Sequence, residues 1–340
     1  MKEKTDAVVI GGGISGMEAA AALARLGAKT VIVEEKDRTG GHVARWHQLF
    51  PDGSASGELL KPLHDALQGV DIRLNTTVAG AVRNGNRYGL TLSDGTELDA
   101  GAVLLATGFS LFDARRKEEY GYGIYDRVIT SDRLEQALTE QKGLGAAGYD
   151  PLRIGFVHCT GSRDEKVNNR HCSKICCATA VKQACELKEL HPSARIYCFY
   201  MDLRMFGRGY EDMYLHAQNK YGIQFIRGRV SEVAETIEGK LAVKAEDTLA
   251  GQPLRATLDW LVLMPGMERH EHTPHMAALF NLAIAGDGFF QTGDAYNRST
   301  TATQPGIFLA GACTGPKTYA ECIGEARAAA LAIYEYIRKI

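Results

Sequence analysis

The chain has 340 residues, a formal net charge of −2 and a pI of about 6.6. That balance leaves no electrostatic footprint for a nucleic-acid role. The longest apolar runs, such as AVLLA and WLVLM, are too short to span a bilayer, and the length is enough to bury two cores.

The first strand starts by about Asp6, which leaves no room for a signal peptide. Together with clustered free thiols further on, this predicts a reducing cytoplasm. TDAVVIGGGISGMEAAAALARLGAKTVIVEE reads as strand, glycine turn, helix and second strand. Gly11, Gly13 and Gly16 form G-x-G-x-x-G. The first glycine permits the tight turn, the second lets a pyrophosphate approach, and the third permits close helix–strand packing. Free N–H groups at the helix start would meet the phosphates. Glu34 ends the second strand, where a carboxylate accepts from ribose hydroxyls. Glu35 is the competing acid, read as a solvated charge.

FAD rather than NAD follows from Gly40 and Gly41, placed to open a second loop over the pyrophosphate; an ordinary turn is the bland alternative. His42 either touches the flavin phosphate or simply packs the loop. Val78 opens a short strand whose backbone would face adenine. LDAGAVLLATGF is a buried strand ending at Thr107 and Gly108, which count among the dinucleotide-binding positions.

A helix is predicted near Ser131 to Leu138, with Ser131 as N-cap and Glu135 in the first turn. QKGLGAAGYDP reads as a Gly-rich loop. PLRIGFVH is then a strand, KICCATAVKQACELKEL a helix and ARIYCFYMD the next strand. A second glycine fingerprint would belong in the turn between them. That turn holds thiols instead: Cys159, Cys172, Cys176 and Cys177, spaced C-x12-C-x3-C-C. Four thiolates are the usual ligands of a four-iron cluster. Zinc favours separated C-x2-4-C pairs, and adjacent cysteines diverge in direction, which suits a cube better. Redox thiols and plain core cysteines compete. Cys185, Cys198, Cys313 and Cys322 are scattered and read as packing residues.

IQFIRGRVSEVAETIEGKLAVKAEDTLAGQPLRATLDWLVLMPG reads as a β-meander packed on the second sheet. His270, His272 and His275 read as a polar surface loop despite their resemblance to a metal tract. Arg227 and Arg229 read as solvated and His171 as exposed, whereas Arg204, Arg208 and Tyr210 are candidates to dock a partner. GIFLAGACTGPKTYAECIGEARAAALAIYEYI is strand, loop and long helix, the segment that closes the flavin site in two-dinucleotide flavoproteins. There the strand usually ends in Gly-Asp. Here Gly311 is followed by Ala312, so the ribityl contact falls to backbone or water. Lys317 is a candidate for the flavin's far edge, and Thr318 and Ala320 for backbone N–H donors.

These segments resemble the A subunit of heterodisulfide reductases: IGGGISG, GGH, the cysteine motif, YMDLRMFGRGYEDMY, YGIQFIRGRVSEV and AGACTGPK cover nearly the whole chain. The resemblance implies an α/β, thioredoxin-reductase-like flavoprotein with two dinucleotide-type domains. Residues 1–112 and 286–340 would bind FAD, and the inserted 113–285 would carry a [4Fe-4S] cluster on the four cysteines. It also implies that Lys182 lies near the flavin ring as the catalytic cation. Methanogen-type subunits are much longer and add C-x2-C-x2-C-x3-C modules; none is present in this sequence. The chain therefore resembles the short form of sulfur-oxidising complexes, which work with further iron–sulfur subunits and lipoate-binding proteins. A homodimeric core is expected. The matching subunit of a quinone-interacting sulfate-reduction complex and a stand-alone NAD(P)H-dependent disulfide reductase are the alternatives. The latter needs a second glycine fingerprint and a C-x-x-C disulfide, and the sequence has neither. An assembly subunit that merely holds cofactors is a third.

Overall fold

The computed structural model describes residues 2–141, 143–145 and 151–340. The predicted Gly-rich loop at 141–151 falls largely outside them. Two compact units emerge. Unit 1 holds the chain up to Ala44, Gly57–Ser110 and everything from Glu268, and unit 2 holds Arg45–Ser56 and Leu111–Met267.

In chain order unit 1 begins with β1 (Glu3–Ile10), α1 (Ile14–Arg25) and β2 (Thr30–Val33). After α2 (Ser56–Asp65) come β3 (Asp71–Arg73), β4 (Val78–Asn84), β5 (Arg87–Leu92), β6 (Glu97–Leu105) and the short β7 (Phe109–Leu111). Ala7–Ile10 of β1 are all buried, as a central parallel strand covered on both faces requires. β3, β2, β1 and β6 run parallel in that order. β5 and β4 extend the N-terminal half of β6 as an antiparallel meander.

Unit 2 contains β8 (Val128–Thr130), α3 (Ser131–Thr139), β9 (Arg153–Thr160), α4 (Cys176–Leu190), β10 (Arg195–Tyr200), α5 (Tyr210–Asn219) and β11 (Gln224–Arg227). β12 (Val230–Glu235), β13 (Leu241–Asp247), β14 (Gln252–Leu258) and β15 (Trp260–Pro265) follow. Five strands form one parallel sheet, ordered β11-β10-β9-β15-β8. Side chains alternate along a strand. Ile154 and Phe156 of β9 therefore pack with Val181, Ala184 and Leu187 of α4, while Val157 packs with Val233 and Val243 of the second sheet. The predicted meander is thus narrower than its sequence. Only β12–β14 form it, and β11 and β15 join the parallel sheet. Ser131 is the first helical residue of α3; the N-cap position falls to Thr130, without a side-chain cap bond.

The chain returns to unit 1 through β16 (Met267–Arg269), α6 (Thr273–Phe280), β17 (Ile307–Leu309) and α7 (Tyr319–Ile337). β17 pairs in parallel with the C-terminal half of β6, and α7 packs on α1. The expected return at residue 286 is too late. Met276, Ala277 and Phe280 of α6 already share a core with Val8, Val103 and Leu105. Arg45–Ser56, expected in the first domain, belongs to unit 2, where Phe50 is buried and meets the Tyr210 ring edge-on at 6.0 Å.

Candidate functional site

The turn after β1 is built by steric necessity at two glycines. Gly11 has φ +105°, and a Cβ there would lie 2.4 Å from Ala106 O. A Cβ on Gly16 would lie 1.8 Å from Gly11 O. Gly13 differs: its nearest neighbour would be Gly41 Cα at 3.9 Å. The space above Gly13 is open, at the N-cap of a helix with no side-chain cap and no acidic residue in its first turn. That is a ready anion site. The Gly40–Gly41 loop closes over it, with Gly40 N–H donating to Gly12 O at 2.8 Å. Glu34 is buried and accepts from Gly12 N at 2.5 Å and Lys36 N at 2.8 Å. Each carboxylate oxygen keeps a further lone pair for a hydroxyl.

Other predicted dinucleotide positions gather here. Thr107 N lies 3.2 Å from where a Gly11 Cβ would be. Its Oγ1 is buried with no hydrogen-bond partner among the described residues, an orphan that a bound polar ligand would satisfy. Gly108 has φ +71° and open space. Val78 is buried at the start of β4, close behind Thr76, whose N–H donates to Glu34 O. Gly311, φ +80°, abuts the start of α1, since a Cβ there would meet Ser15 Oγ at 2.2 Å. Its N–H donates to Glu325 Oε2 at 2.7 Å, and Lys317 Nζ donates to its carbonyl at 3.1 Å. Lys317 also binds Thr314 Oγ1 and lies 3.3 Å from Glu325. A carboxylate from α7 thus holds the turn that lacks the usual Asp after Gly311, and Ala312 is buried. Thr318 caps α7 in a capping box with Glu321, which takes the Thr318 N–H. Ala320 lies in the first turn, where N–H groups have no intrahelical acceptor. His42 stacks on Phe109 at 4.1 Å and bonds its carbonyl at 3.0 Å, so it packs the loop.

Glu35 departs from the solvated reading. It lies 3.9 Å from His270 and 3.6 Å from His272. Burial works to raise its pKa, but Lys36 and the two imidazoles outweigh it and lower it. His270 is accordingly no free surface residue.

These distances separate two roles that the fingerprint lumps together. Gly16→Ala is expected to disrupt unit 1 by about 3 kcal/mol or more, because backbone must move. Gly13→Val costs the fold about 1 kcal/mol yet fills the open space. Denaturant unfolding and flavin content of the purified variants check this: Gly13→Val folds and lacks flavin.

In unit 2 the turn after β9 carries the thiols. Cys159, Cys176 and Cys177 are buried and Cys172 is partly exposed. Cys159 and Cys176 Sγ lie 4.0 Å apart. Lys174 N–H points at Cys172 Sγ at 3.3 Å, and Cys177 Sγ lies 3.8 Å from Asp202 O. Among the described residues no three His, Cys, Asp or Glu side chains converge on a single-ion position. Among the described residues, four of the seven non-glycine residues with positive φ fall in this loop: Cys159, Arg163, Asn168 and Lys174. Such strain concentrates where a ligand is held. Contact with the Cys176 thiol favours ionised Cys177 and Cys159, and pushes Cys176 itself up. Four sulfur donors on one turn fit a thiolate-bound cluster. Gly161 of the same turn faces the Phe112 ring, 2.2 Å from a would-be Cβ. A ring occupies the approach that a second pyrophosphate would need. His171 is partly buried and its Nε2 bonds Met267 O at 2.8 Å, contrary to the exposed reading.

The loop is pinned by a buried pair. Asp164 accepts from Lys117 Nζ at 2.7 Å and caps the following turn through Lys166 N at 3.0 Å. Burial works to raise the Asp164 carboxyl, but Lys117, the Lys166 N–H and Arg229 outweigh it. A lowered carboxyl contributes stability above the ordinary carboxylate pKa, lost as pH falls through its folded value. Asp164→Ala is expected to cost about 2 kcal/mol, with Glu119 left to hold Lys117. The loss should shrink toward acid pH in urea titrations.

Lys182 lies in a buried charge cluster. Its ammonium donates to Glu135 and to Gln48 O at 3.0 Å, and lies 3.6 Å from Glu186 Oε2. His47 Nδ1 meets Glu186 at 2.9 Å, and Gln183 donates to Glu135 at 2.9 Å. Burial raises the Glu186 pKa, Glu135 adds to this, and Lys182 and His47 oppose it. Sequence reasoning missed Glu135, Glu186, Gln183 and His47 as site residues. The one local signal was Glu186 at i+4 from Lys182.

Residues 1–135 match the pyridine nucleotide-disulphide oxidoreductase family. The thioredoxin reductase of Lactococcus lactis superposes with a TM-score of 0.68 at 19% identity, covering 99% of this chain and all of that one. The fold is therefore the thioredoxin-reductase-like pair of dinucleotide-binding domains. The second iron-sulfur A subunit of the CoB–CoM heterodisulfide reductase of Methanopyrus kandleri is 32% identical over 413 aligned positions, covering 95% of this chain and 63% of that protein. The chain is thus similar to heterodisulfide reductase A subunits over nearly its whole length. The corresponding protein of Methanocaldococcus jannaschii is 39% identical over 244 positions, covering 70% of this chain and 37% of that protein. The chain thus spans less than two thirds of the length of these relatives. Among the described residues no helix is long and apolar enough to cross a membrane.

Proposed function

We propose that the chain is the FAD and [4Fe-4S] electron-transfer subunit of a heterodisulfide-reductase-like complex in dissimilatory sulfur metabolism, in the direction of sulfur oxidation. One observation carries the reading: the turn that would bind a second nucleotide holds four thiols and is filled by Phe112. Gly11, Gly13, Gly16, Glu34, Thr107 and the Gly311–Ala320 segment would hold FAD. Cys159, Cys172, Cys176 and Cys177 would hold the cluster. When bound, a flavin exchanges two electrons at once and a four-iron cluster one at a time, so the pair interconverts two-electron sulfur chemistry and single-electron transfer. The protein supplies position, an open helix N-terminus for the phosphates, and a largely buried thiol pocket. Lys182 is the candidate cation acting on the flavin, by favouring its reduced anionic form.

Partners in this reading are further iron–sulfur subunits and a lipoyl-bearing carrier, around a homodimeric core in the cytoplasm. Iron, acid-labile sulfide and flavin analysis of anaerobically purified protein tests it. Flavin with iron and sulfide is the expected result, and iron and sulfide near zero would sink the cluster. Bleaching of the flavin by NADH, with steady turnover and no partner, would instead restore a stand-alone reductase.

A further inference from the structure

We infer that the loop Asp202–Arg208, together with Lys174, is the docking face for an acidic protein that carries one electron at a time; this rests on the proposed cluster at the thiols.

The loop touches both the thiols and solvent. Its first carbonyl, on Asp202, lies 3.8 Å from Cys177 Sγ. Its apex, Phe206, is 64% exposed. Lys174 joins the two ends: its N–H points at Cys172 Sγ at 3.3 Å, and its ammonium sits 5.6 Å from the Phe206 ring centroid. A solitary exposed Phe is ordinary. A Phe whose ring meets Lys174, a residue of the cysteine loop itself, places an exposed apolar side chain beside those thiols.

Charge selects the partner. Arg204 and Arg208 flank Phe206 and are exposed. Asp202 pairs with Arg163 at 2.8 Å and with Arg227 at 3.6 Å. Arg229 donates to Arg163 O at 2.9 Å, which brings a further cation to the group. Beyond Asp202 itself, Glu211 and Asp212 on the first turn of α5 are the opposing carboxylates nearest in sequence. The excess is positive on a chain whose net charge is −2. Arg and aromatic residues are the side chains that anchor protein interfaces, and a local field of one sign speeds encounter with the opposite sign.

The test uses the anaerobically purified holoprotein, reduced with dithionite and freed of excess reductant. The probes are ferric cytochrome b5, which is acidic, and ferric cytochrome c, which is basic. One reduced flavin gives up two electrons and releases its protons to solvent, and two ferric haems take one electron each. Stopped-flow haem absorbance reads the second-order rate. Cytochrome b5 is expected to react faster at low salt, with a rate that falls as ionic strength rises. The Arg204→Glu/Arg208→Glu variant should slow it by about tenfold or more, and Phe206→Ala should slow it with an unchanged salt slope. Cytochrome c should gain from the charge reversal. Iron, sulfide and flavin are measured on every sample first. Full cofactor content with unaltered cytochrome b5 rates in the variants overturns the docking face alone, as does a wild-type rate indifferent to salt. Absence of iron in wild type overturns the cluster reading instead.

Discussion

Lys182→Met should lower the stability of the protein by about 3–5 kcal/mol, the cost of removing one partner from a buried ion cluster. The methionine fills similar volume, so packing is largely spared. The loss is electrostatic: Glu135 and Glu186, both nearly inaccessible, are left with no ammonium between them. Urea unfolding measures the loss, and the Lys182→Met/Glu135→Gln double variant should recover more than half of it by removing the stranded charge. The pH dependence has a definite sign. The Glu186 pKa is raised, chiefly by burial. A raised carboxyl contributes stability that is full below the ordinary carboxylate pKa and is lost as pH rises through its folded value. Without Lys182 that rise grows, so the gap between variant and wild type should narrow as pH falls. A gap independent of pH, or a double variant no better than the single one, would remove the charge argument.

Cys176→Ser is expected to remove most of the iron while leaving flavin stoichiometry unchanged. Cys176 is buried against Cys159 at the N-terminus of α4, and a hydroxyl is a far harder, less acidic ligand than a thiol. The dinucleotide turn belongs to the other unit, with its own core. Iron, sulfide and flavin content, with the visible spectrum before and after dithionite, decide the matter. Unchanged iron would show that Cys176 is not a ligand. Zinc in place of iron in wild type would contradict the cluster outright.

What could be seen in the sequence was what is local. The β1–α1–β2 fingerprint is contiguous, and each glycine's role follows from its neighbours in the turn. The thiol turn stood out for the same reason, since Cys159 to Cys177 lie between one strand and one helix. The Lys182 cluster was invisible because its members are distant: Glu135 is 47 residues before Lys182, and His47 is 139 before Glu186. Glu135 looked like a first-turn carboxylate of an amphipathic helix, and only tertiary packing turns it inward. Glu325 was missed likewise, because nothing local marks a helix glutamate as the acceptor for Gly311 N–H fourteen residues earlier. The meander was overdrawn because short strands of a parallel sheet and of an antiparallel one share the same apolar content.

The Arg45–Ser56 excursion has a consequence for the order of assembly. This stretch leaves the ribosome long before α4, the element whose charges it meets through His47 and Gln48. β17, the last strand of the first sheet, is made only after the whole of unit 2. Neither unit can therefore finish in step with synthesis, although domains commonly do. The nascent chain must carry an unclosed sheet edge beside β6 until Ile307–Leu309 arrive. Hydrogen exchange in stalled chains would find that edge open.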